Sequence, residues 1–397
     1  MELTVKQAKG LDIAIKRYKN KEKYTTISGY AGTGKSTLVS FIIKGLAQEG
    51  ISPEKDVAYA AFTGKAAEVL RKKGNPNALT LHKLLYDHIP KPNGGFIRKP
   101  KVALEYKIIV VDEVSLVPKS MIDMLLRHNV YVIFLGDPFQ LPQIDKNEEH
   151  DILDHPHIFL DEIMRQAAES EIIRLTLQIR EGKDIPFTKG EEVAVVPKRD
   201  LCSGHLLWAD QILCATNKER NRLNAEMRRR LGYEGLPQDG EKLICLKNYW
   251  DIITPDGNAL VNGTTGIIHN PYENFIIPPR SLRIETPKIE FISCNFTPEV
   301  GMSFNNLMID KKMLETGEPC LSWKDAYKLN GLKEKLGKMV PDEFAFGYAI
   351  TCWKAQGSEW DKVLVIEEGF PYNKLEHQKF LYTACTRASQ KLVLVKN

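Results

Sequence analysis

The sequence predicts an α/β chain, with two sets of parallel-sheet elements and a β-rich insertion in the second. Three observations predict it. The first third alternates short β-rich apolar runs with amphipathic stretches: YTTIS, KSTLVSFIIKGLAQEG, VAYAAF, GKAAEVLRKKG, KIIVVDE, PKSMIDMLLRH and YVIFLGD. That is the pattern of a parallel sheet covered by helices. The alternation begins again near HPHIFLDEIMRQ, continues in ADQILCATN and the helical KERNRLNAEMRRRLG, and resumes near the end in EFAFGYAIT, DKVLVIEE and QKLVLV. Between these pieces, residues 240 to about 300 carry period-two runs broken by turns (NALVNGTTGII, LRIETPKIEFI), which read as a small β-barrel, and 303–338 read as short helices.

Composition narrows the classes. The chain has 397 residues, 43% apolar and 27% charged, which is ordinary globular composition and long enough for two or three domains. With 55 Lys and Arg against 51 Asp and Glu, the net charge is only +4, so a nucleic-acid surface must be a local patch. The seven cysteines are scattered without Cys-x-x-Cys spacing, which argues against a disulfide framework, a zinc site or an iron–sulfur cluster and for a reducing, cytoplasmic setting. The first residues lack the basic head and apolar run of a signal peptide, and no apolar run approaches the ~20 residues a membrane span needs. No solenoid repeat or low-complexity tract is present.

Taken in order, the first chemistry-bearing element is GYAGTGKST, Gly29 to Thr37, set between a predicted strand and a predicted helix. It satisfies the phosphate-loop pattern: Gly29, Gly32 and Gly34 let backbone N–H groups turn toward phosphates, and Thr33 and Thr37 complete the loop. Lys35 is expected at the β- and γ-phosphates of ATP, and Ser36 to supply an oxygen to Mg²⁺. The bland alternative is an accidental glycine-rich turn. In the following helix Leu38, Phe41, Ile42, Gly45 and Leu46 share a face, Gly50 stands at the C-cap, and Pro118 suits the first turn of a later helix. IIVVDEVS ends a strand in Asp112-Glu113, where Asp112 would hold Mg²⁺ and Glu113 would orient and deprotonate water. A solvated acidic pair is the alternative.

With LGDPFQLPQI as the third motif, the chain resembles superfamily 1 helicases, and most closely the 1B group of RecD-like and phage Dda-like DNA helicases. The resemblance runs through LTVKQ, GYAGTGKST, AAFTGKAAEVL, TLHKLL, VVDEVS, GDPFQLP, IMRQAAESEIIRL, VNGTTG, ITCWKAQGSEWDKV and LYTACTRA, nearly the whole chain. It implies two RecA-like P-loop NTPase lobes: residues 1–85 with 107–157, and 158–239 with 339–397. A pin subdomain at 86–106 interrupts the first, and an SH3-like barrel with a helical extension at 240–338 interrupts the second. It also implies that Gln7 reads adenine, that Gln140 senses the γ-phosphate, and that Arg165 and Arg387 reach it from the second lobe. Arginines there fit the need for cations on transferred phosphoryl oxygens, worth ~10³ to 10⁵ in rate. A surface ion pair is the commoner fate of an arginine.

By the same resemblance Gly357 and Glu359 contact nucleotide, Gln356 and Ser358 link to the DNA track, and Thr63, Lys65, Thr80 and His82 line the strand path. Trp353 stands where the family commonly has His, which leaves stacking or core packing open. Phe62 stands where relatives often have Pro. The stretch HIPKPNGGFIRKP, residues 88–100, falls where this group inserts the pin. Asn93-Gly94 is a two-residue hairpin signal, flanked by Ile89 on one side and Phe96 and Ile97 on the other. Pro90, Pro92 and Pro100 would stiffen its base. Phe96 is expected to meet the DNA fork, against the alternative of a solvated hairpin that separates nothing.

The expected function is therefore an ATP- and Mg²⁺-dependent DNA helicase, working as a monomeric motor on single-stranded and forked DNA in replication, repair or recombination. The resemblance implies 5′-to-3′ travel. Competing readings are a translocase that displaces proteins, a motor preferring RNA, a DNA-binding subunit of a nuclease or replication complex, and a small-molecule kinase or signalling NTPase.

Overall fold

The structure, a computed structural model, describes residues 3–90, 96–142, 146–255, 257–371 and 373–396; the side chains of residues 88, 90, 96–98, 146, 165, 166 and 334 lie outside the description. Contacts group the chain into two units, Met1–Tyr86 with Pro100–Thr216 and Thr351–Asn397, and Asp87–Lys99 with Asn217–Ile350.

The first unit holds two sheets. In the first, the strands run in the order Leu79–Thr80, Val57–Ala61, Ile108–Val111, Tyr131–Gly136, Tyr24–Gly29, Ile158–Leu160, and every pairing is parallel. Ile108–Val111 and Tyr131–Gly136 are buried at every position, which is why both read as unbroken apolar runs. The strand Ile158–Leu160, which the alternation assigns to the second set, joins this sheet, pairing Ile27 with Ile158 and Gly29 with Leu160. His157 anchors it, because its Nδ1 accepts from the backbone N–H of Thr26 at 3.1 Å and lies 2.8 Å from the Thr26 hydroxyl. In the helix Lys35–Ala47 the buried face is Leu38, Val39, Ile42, Ile43 and Leu46. Gly50, just beyond it, takes φ +84°.

In the second sheet Gln211–Cys214, Trp360–Ile366, Ala388–Lys396 and Val193–Pro197 are parallel neighbours in that order, with the short strand Thr188–Lys189 antiparallel at the edge. The fold is thus the α/β fold expected, with its two parallel sheets.

The second unit is built on an antiparallel sheet ordered Phe304–Asp310, Ile289–Pro298, Thr265–Ile276, Lys242–Cys245, Phe344–Phe346. The residue that leads into its last strand, Asp342, bridges back to Ile309 in its first, and the Asp310 N–H donates to the Asp342 carbonyl at 2.9 Å. Both edges are thereby engaged around a core of Phe296, Phe304, Phe344 and Ile309. Phe304–Asp310 is a strand where the sequence suggests helix; only from Lys311 do short helices follow. The helix Asn217–Leu231, which its charge-rich pattern assigns to the second α/β set, groups with this unit. Its Arg228 makes a two-pronged bond to the fully buried Glu241, at 2.8 and 3.0 Å, and Asn224 exchanges amide bonds with the backbone of Ala349. The strands Tyr86–Pro90 and Phe96–Pro100 pair with each other as the hairpin reading requires. Their connection, with Asn93-Gly94, lies outside the described residues, as does the Phe96 side chain. Among the described residues all seven cysteines are free, and no helix is long and apolar enough to cross a membrane.

Candidate nucleotide and nucleic-acid site

Parallel sheets gather loops at the carboxyl ends of their strands, and the first sheet brings the expected residues there. Gly29 ends one strand, Asp112 and Glu113 follow Ile108–Val111, Asp137 follows Tyr131–Gly136, and Thr63 follows Val57–Ala61. The phosphate loop needs its glycines. Gly32 and Gly34 have φ +77° and +79°, and a Cβ on Gly29 would sit 2.7 Å from the Leu160 carbonyl. Lys35 Nζ donates to the carbonyls of Gly29 (2.6 Å) and Tyr30 (3.0 Å), so the ammonium is held over the loop. Thr33 is buried, its hydroxyl donating to the Tyr30 carbonyl at 2.8 Å, while Ser36 and Thr37 open the helix that follows. Gln7 is 1% exposed and part of a capping box with Thr4; its amide donates to the Thr33 and Gly34 carbonyls at 3.3 and 3.5 Å.

Within the acidic pair the backbone strain falls on Glu113, whose φ of +51° is a conformation costing about 1–3 kcal/mol for such a residue. Burial pushes the Asp112 carboxyl well above the usual range and the Glu113 charge pushes it further, against the Glu113 N–H bond and Lys35. Burial also raises Asp137, opposed chiefly by Lys35. These carboxylates and the Ser36 hydroxyl are hard oxygen donors short of positive charge, which suits Mg²⁺. Among the described residues there is no group of three or more His, Cys, Asp or Glu that could hold a metal ion.

Gln140, 8% exposed, donates to Glu113 Oε1 at 3.3 Å, and its own Oε1 is buried with no hydrogen-bond partner among the described residues. Arg387, 5% exposed and carried by the second sheet's elements, brings Nη1 within 3.7 Å of the same Glu113 Oε1. Its guanidinium is aimed by the carbonyls of Thr383 (3.1 Å) and Ser358 (3.3 Å). Arg165 begins the helix Arg165–Ala168, beside Met164, whose N–H donates to the Gly32 carbonyl at 2.9 Å; the Arg165 side chain lies outside the described residues.

Sequence reasoning missed Tyr382. Its hydroxyl donates to Asp137 Oδ2 at 2.6 Å and accepts from the Ala31 N–H, in the phosphate loop, at 2.7 Å. Thr383 and Gln356 add two further ties to Leu141, at its N–H (2.9 Å) and its carbonyl (2.6 Å). Arg180 stacks 3.6 Å over the Tyr30 ring. The signal was present, since Tyr382 and Asp137 lie inside LYTACTRA and GDPFQLP, but only the arginine and the glutamine of those motifs were singled out.

The strand-path candidates form a second group. Thr63 and Thr80 are N-caps, accepting from Ala66 and Lys83. His82 is 8% exposed between Phe62 and Tyr86. Lys65 Nζ lies 3.6 Å over the Trp360 ring. The described contacts of Gly357 and Glu359 are with this group: a Cβ on Gly357 would meet Ala66 at 3.2 Å and Thr63 at 3.4 Å, and Glu359 pairs with Lys73 at 3.2 Å. Gln356 and Ser358 are buried beside them. Trp353 packs on Phe380, rings 6.5 Å apart at 19°, the packing side of the alternative.

Sequence models of two families match the chain: the AAA domain over residues 3–197 and the UvrD-like helicase C-terminal domain over residues 346–395. The ATP-dependent RecD2 DNA helicase of Deinococcus radiodurans is 26% identical over 93% of this chain and 46% of its own length. The ATP-dependent DNA helicase Dda of phage T4 is 28% identical over 46% of this chain and 43% of its own. The chain is thus similar to ATP-dependent DNA helicases of the RecD2 and Dda kind. It spans less than half the length of those two relatives, though 95% of protein R530 of Acanthamoeba polyphaga mimivirus, which is 25% identical over 94% of this chain. A Bacteroides Pif1 helicase crystallised with ADP-AlF3 and single-stranded DNA shares the fold, with a TM-score of 0.51 over 99% of this chain and 92% of that one at 17% identity. The AAA-domain match takes in the whole first sheet, and the UvrD-like match takes in Trp360–Ile366 and most of Ala388–Lys396 of the second.

Proposed function

We propose that this chain is an ATP-dependent DNA helicase that moves along a single strand, 5′ to 3′, and separates duplex with the hairpin of residues 86–106. The observation that carries the reading is the convergence on Glu113 Oε1 of Gln140 from the first sheet and Arg387 from the second. Hydrolysis then depends on the sheets being together, which is what couples turnover to movement. Lys35 neutralises the β- and γ-phosphates, and the loop N–H groups hold them at the helix start. Asp112 and Ser36 would hold Mg²⁺, which would supply charge neutralisation on the phosphates when bound. Glu113 takes the proton of the attacking water, and the unpartnered Gln140 Oε1 orients that water. Arg387 and Arg165 meet the charge that develops on the γ-phosphoryl oxygens. Gln7 reads adenine from beside Gly34.

On the nucleic-acid side, Thr63, Lys65, Thr80 and His82 form the strand path, with Gln356, Gly357, Ser358 and Glu359 joining it to the nucleotide. Residues 158–160 stay with the first lobe, residues 217–350 go with the SH3-like unit, and the remaining lobe and pin divisions follow the sequence reading. Replication or recombination proteins are the partner class this activity implies. The test is Lys35→Ala in DNA-stimulated ATPase and fork-unwinding assays: both are expected to vanish while DNA binding persists. Retained turnover in that variant overturns the site. An unaltered chain that hydrolyses ATP on DNA but leaves duplex intact makes it a protein-displacing translocase, and one that shows neither is a scaffold subunit.

A further inference from the structure

The second unit carries an aromatic feature that the motor chemistry does not use. The helix Trp323–Asn330 turns Asp325 and Leu329 inward, onto a small core with Leu321, Ile289 and Ile284. On its outer face Trp323 and Tyr327 are 78% and 71% exposed, and their rings stack with centroids 5.7 Å apart at 23°. Exposing two large rings side by side on a short helix forfeits the burial that normally holds such residues. Lys324 and Lys328 stand beside them at the same four-residue spacing, both exposed, and Lys335 is exposed two turns on. Asp325 is buried and accepts from the Glu285 N–H and, at 3.2 Å, from the exposed Lys328 ammonium. Over residues 320–339 the sequence has five lysines (324, 328, 333, 335, 338) against Asp325 and Glu334; Lys333 and Lys338 pair with Asp251 and Asp342, so Lys324, Lys328 and Lys335 are the exposed cations of the segment.

We infer that Trp323 and Tyr327 form an accessory platform for single-stranded DNA, with unpaired bases stacking on the rings and Lys324 and Lys328 meeting the phosphates. Aromatic faces interleaved with cations are what sequence-independent binding of single strands requires, since every base offers a ring to stack on. A protein partner is disfavoured because lysine is depleted at the cores of protein interfaces, whereas here it separates the aromatic residues. The inference rests on the motor reading for its substrate, and its test separates the two. Fluorescence anisotropy of labelled oligothymidine, with and without nucleotide, is measured for the full chain and for Trp323→Ala/Tyr327→Ala. The double variant is expected to weaken binding by roughly tenfold or more. Trp323→Phe, which keeps a ring, is expected to bind like the unaltered chain. Lys324→Gln and Lys328→Gln are each expected to lower the slope of log K against log salt by about 0.7. A blunt duplex, its bases already stacked, is expected to bind the double variant and the unaltered chain equally. Equal oligothymidine affinity of the two proteins, at matched melting temperature, overturns the platform and leaves the motor standing; a protein partner is then the remaining use of the rings. An equal loss on duplex overturns the stacking. No DNA binding by the unaltered chain overturns platform and motor together.

Discussion

The Tyr382 hydroxyl is an acceptor for the phosphate loop and a donor to Asp137 at once, and no other ordinary side chain of that reach does both. Burial raises its phenol further, so it stays a neutral donor at any working pH. Tyr382→Phe keeps the ring against Phe139, 5.3 Å away, and removes both bonds. Loss of a buried hydrogen-bond partner costs about 1–3 kcal/mol, and the cost falls on the arrangement in which Arg387 reaches Glu113. DNA-stimulated kcat is expected to drop roughly tenfold with KM for ATP little changed, since 1.4 kcal/mol is a factor of ten. A lower melting temperature with unchanged kcat sinks the idea that this tie positions the arginine. Lys35, Asp112 and Glu113 were legible because each is defined by a few consecutive residues. Tyr382 was not, because its role needs a helix residue and a loop residue 245 positions apart to meet.

At the scale of elements, the alternation of apolar runs and amphipathic stretches carried the two sheets, because buried parallel strands must be apolar on both faces. It misplaced Ile158–Leu160, whose partner strand lies 130 residues earlier and whose anchor is a single histidine. That anchor has a pH consequence. His157 accepts through Nδ1 and is partly buried, so its pKa is lowered by desolvation first and by Arg17 second. A histidine depressed in the fold contributes stability above its unfolded pKa, ~6.5, and that contribution is lost as pH falls through the folded value. The melting temperature of the nucleotide-free chain is expected to decline below about pH 6.5, and less steeply in His157→Asn; identical slopes reject the anchor. The hairpin was legible from Asn93-Gly94, and its two strands pair; its aim was not, because a turn motif fixes local geometry and not direction. Replacing residues 91–98 by a short Gly-Ser turn is expected to leave DNA-stimulated ATPase largely intact and to abolish unwinding. Unwinding at the original rate excludes a wedge.

At the scale of the whole molecule, the described contacts that join the two sheets at the cleft include Tyr382 to Ala31 and Asp137, Thr383 and Gln356 to Leu141, Arg387 to Glu113, and Arg180 over Tyr30. At about 1 kcal/mol net for each hydrogen bond, they sum to an amount that ATP binding and product release can make and break in every cycle. A motor of the proposed kind takes its direction from how the strand lies across both sheets, and no single residue encodes that. The resemblance to superfamily 1B carries the proposed 5′-to-3′ travel, and the near-neutral charge favours a strand held by a narrow path over one held by a general field. Forks with only a 5′ single-stranded tail are therefore expected to be unwound in an ATP-dependent fluorescence assay, forks with only a 3′ tail to persist, and RNA forks to be poor substrates. Faster opening of 3′-tailed forks reverses the threading of the strand between Thr63 and His82. Equal opening of RNA forks makes the substrate any single strand, which would leave stacking and phosphate contacts, with no sugar discrimination, as the whole of recognition.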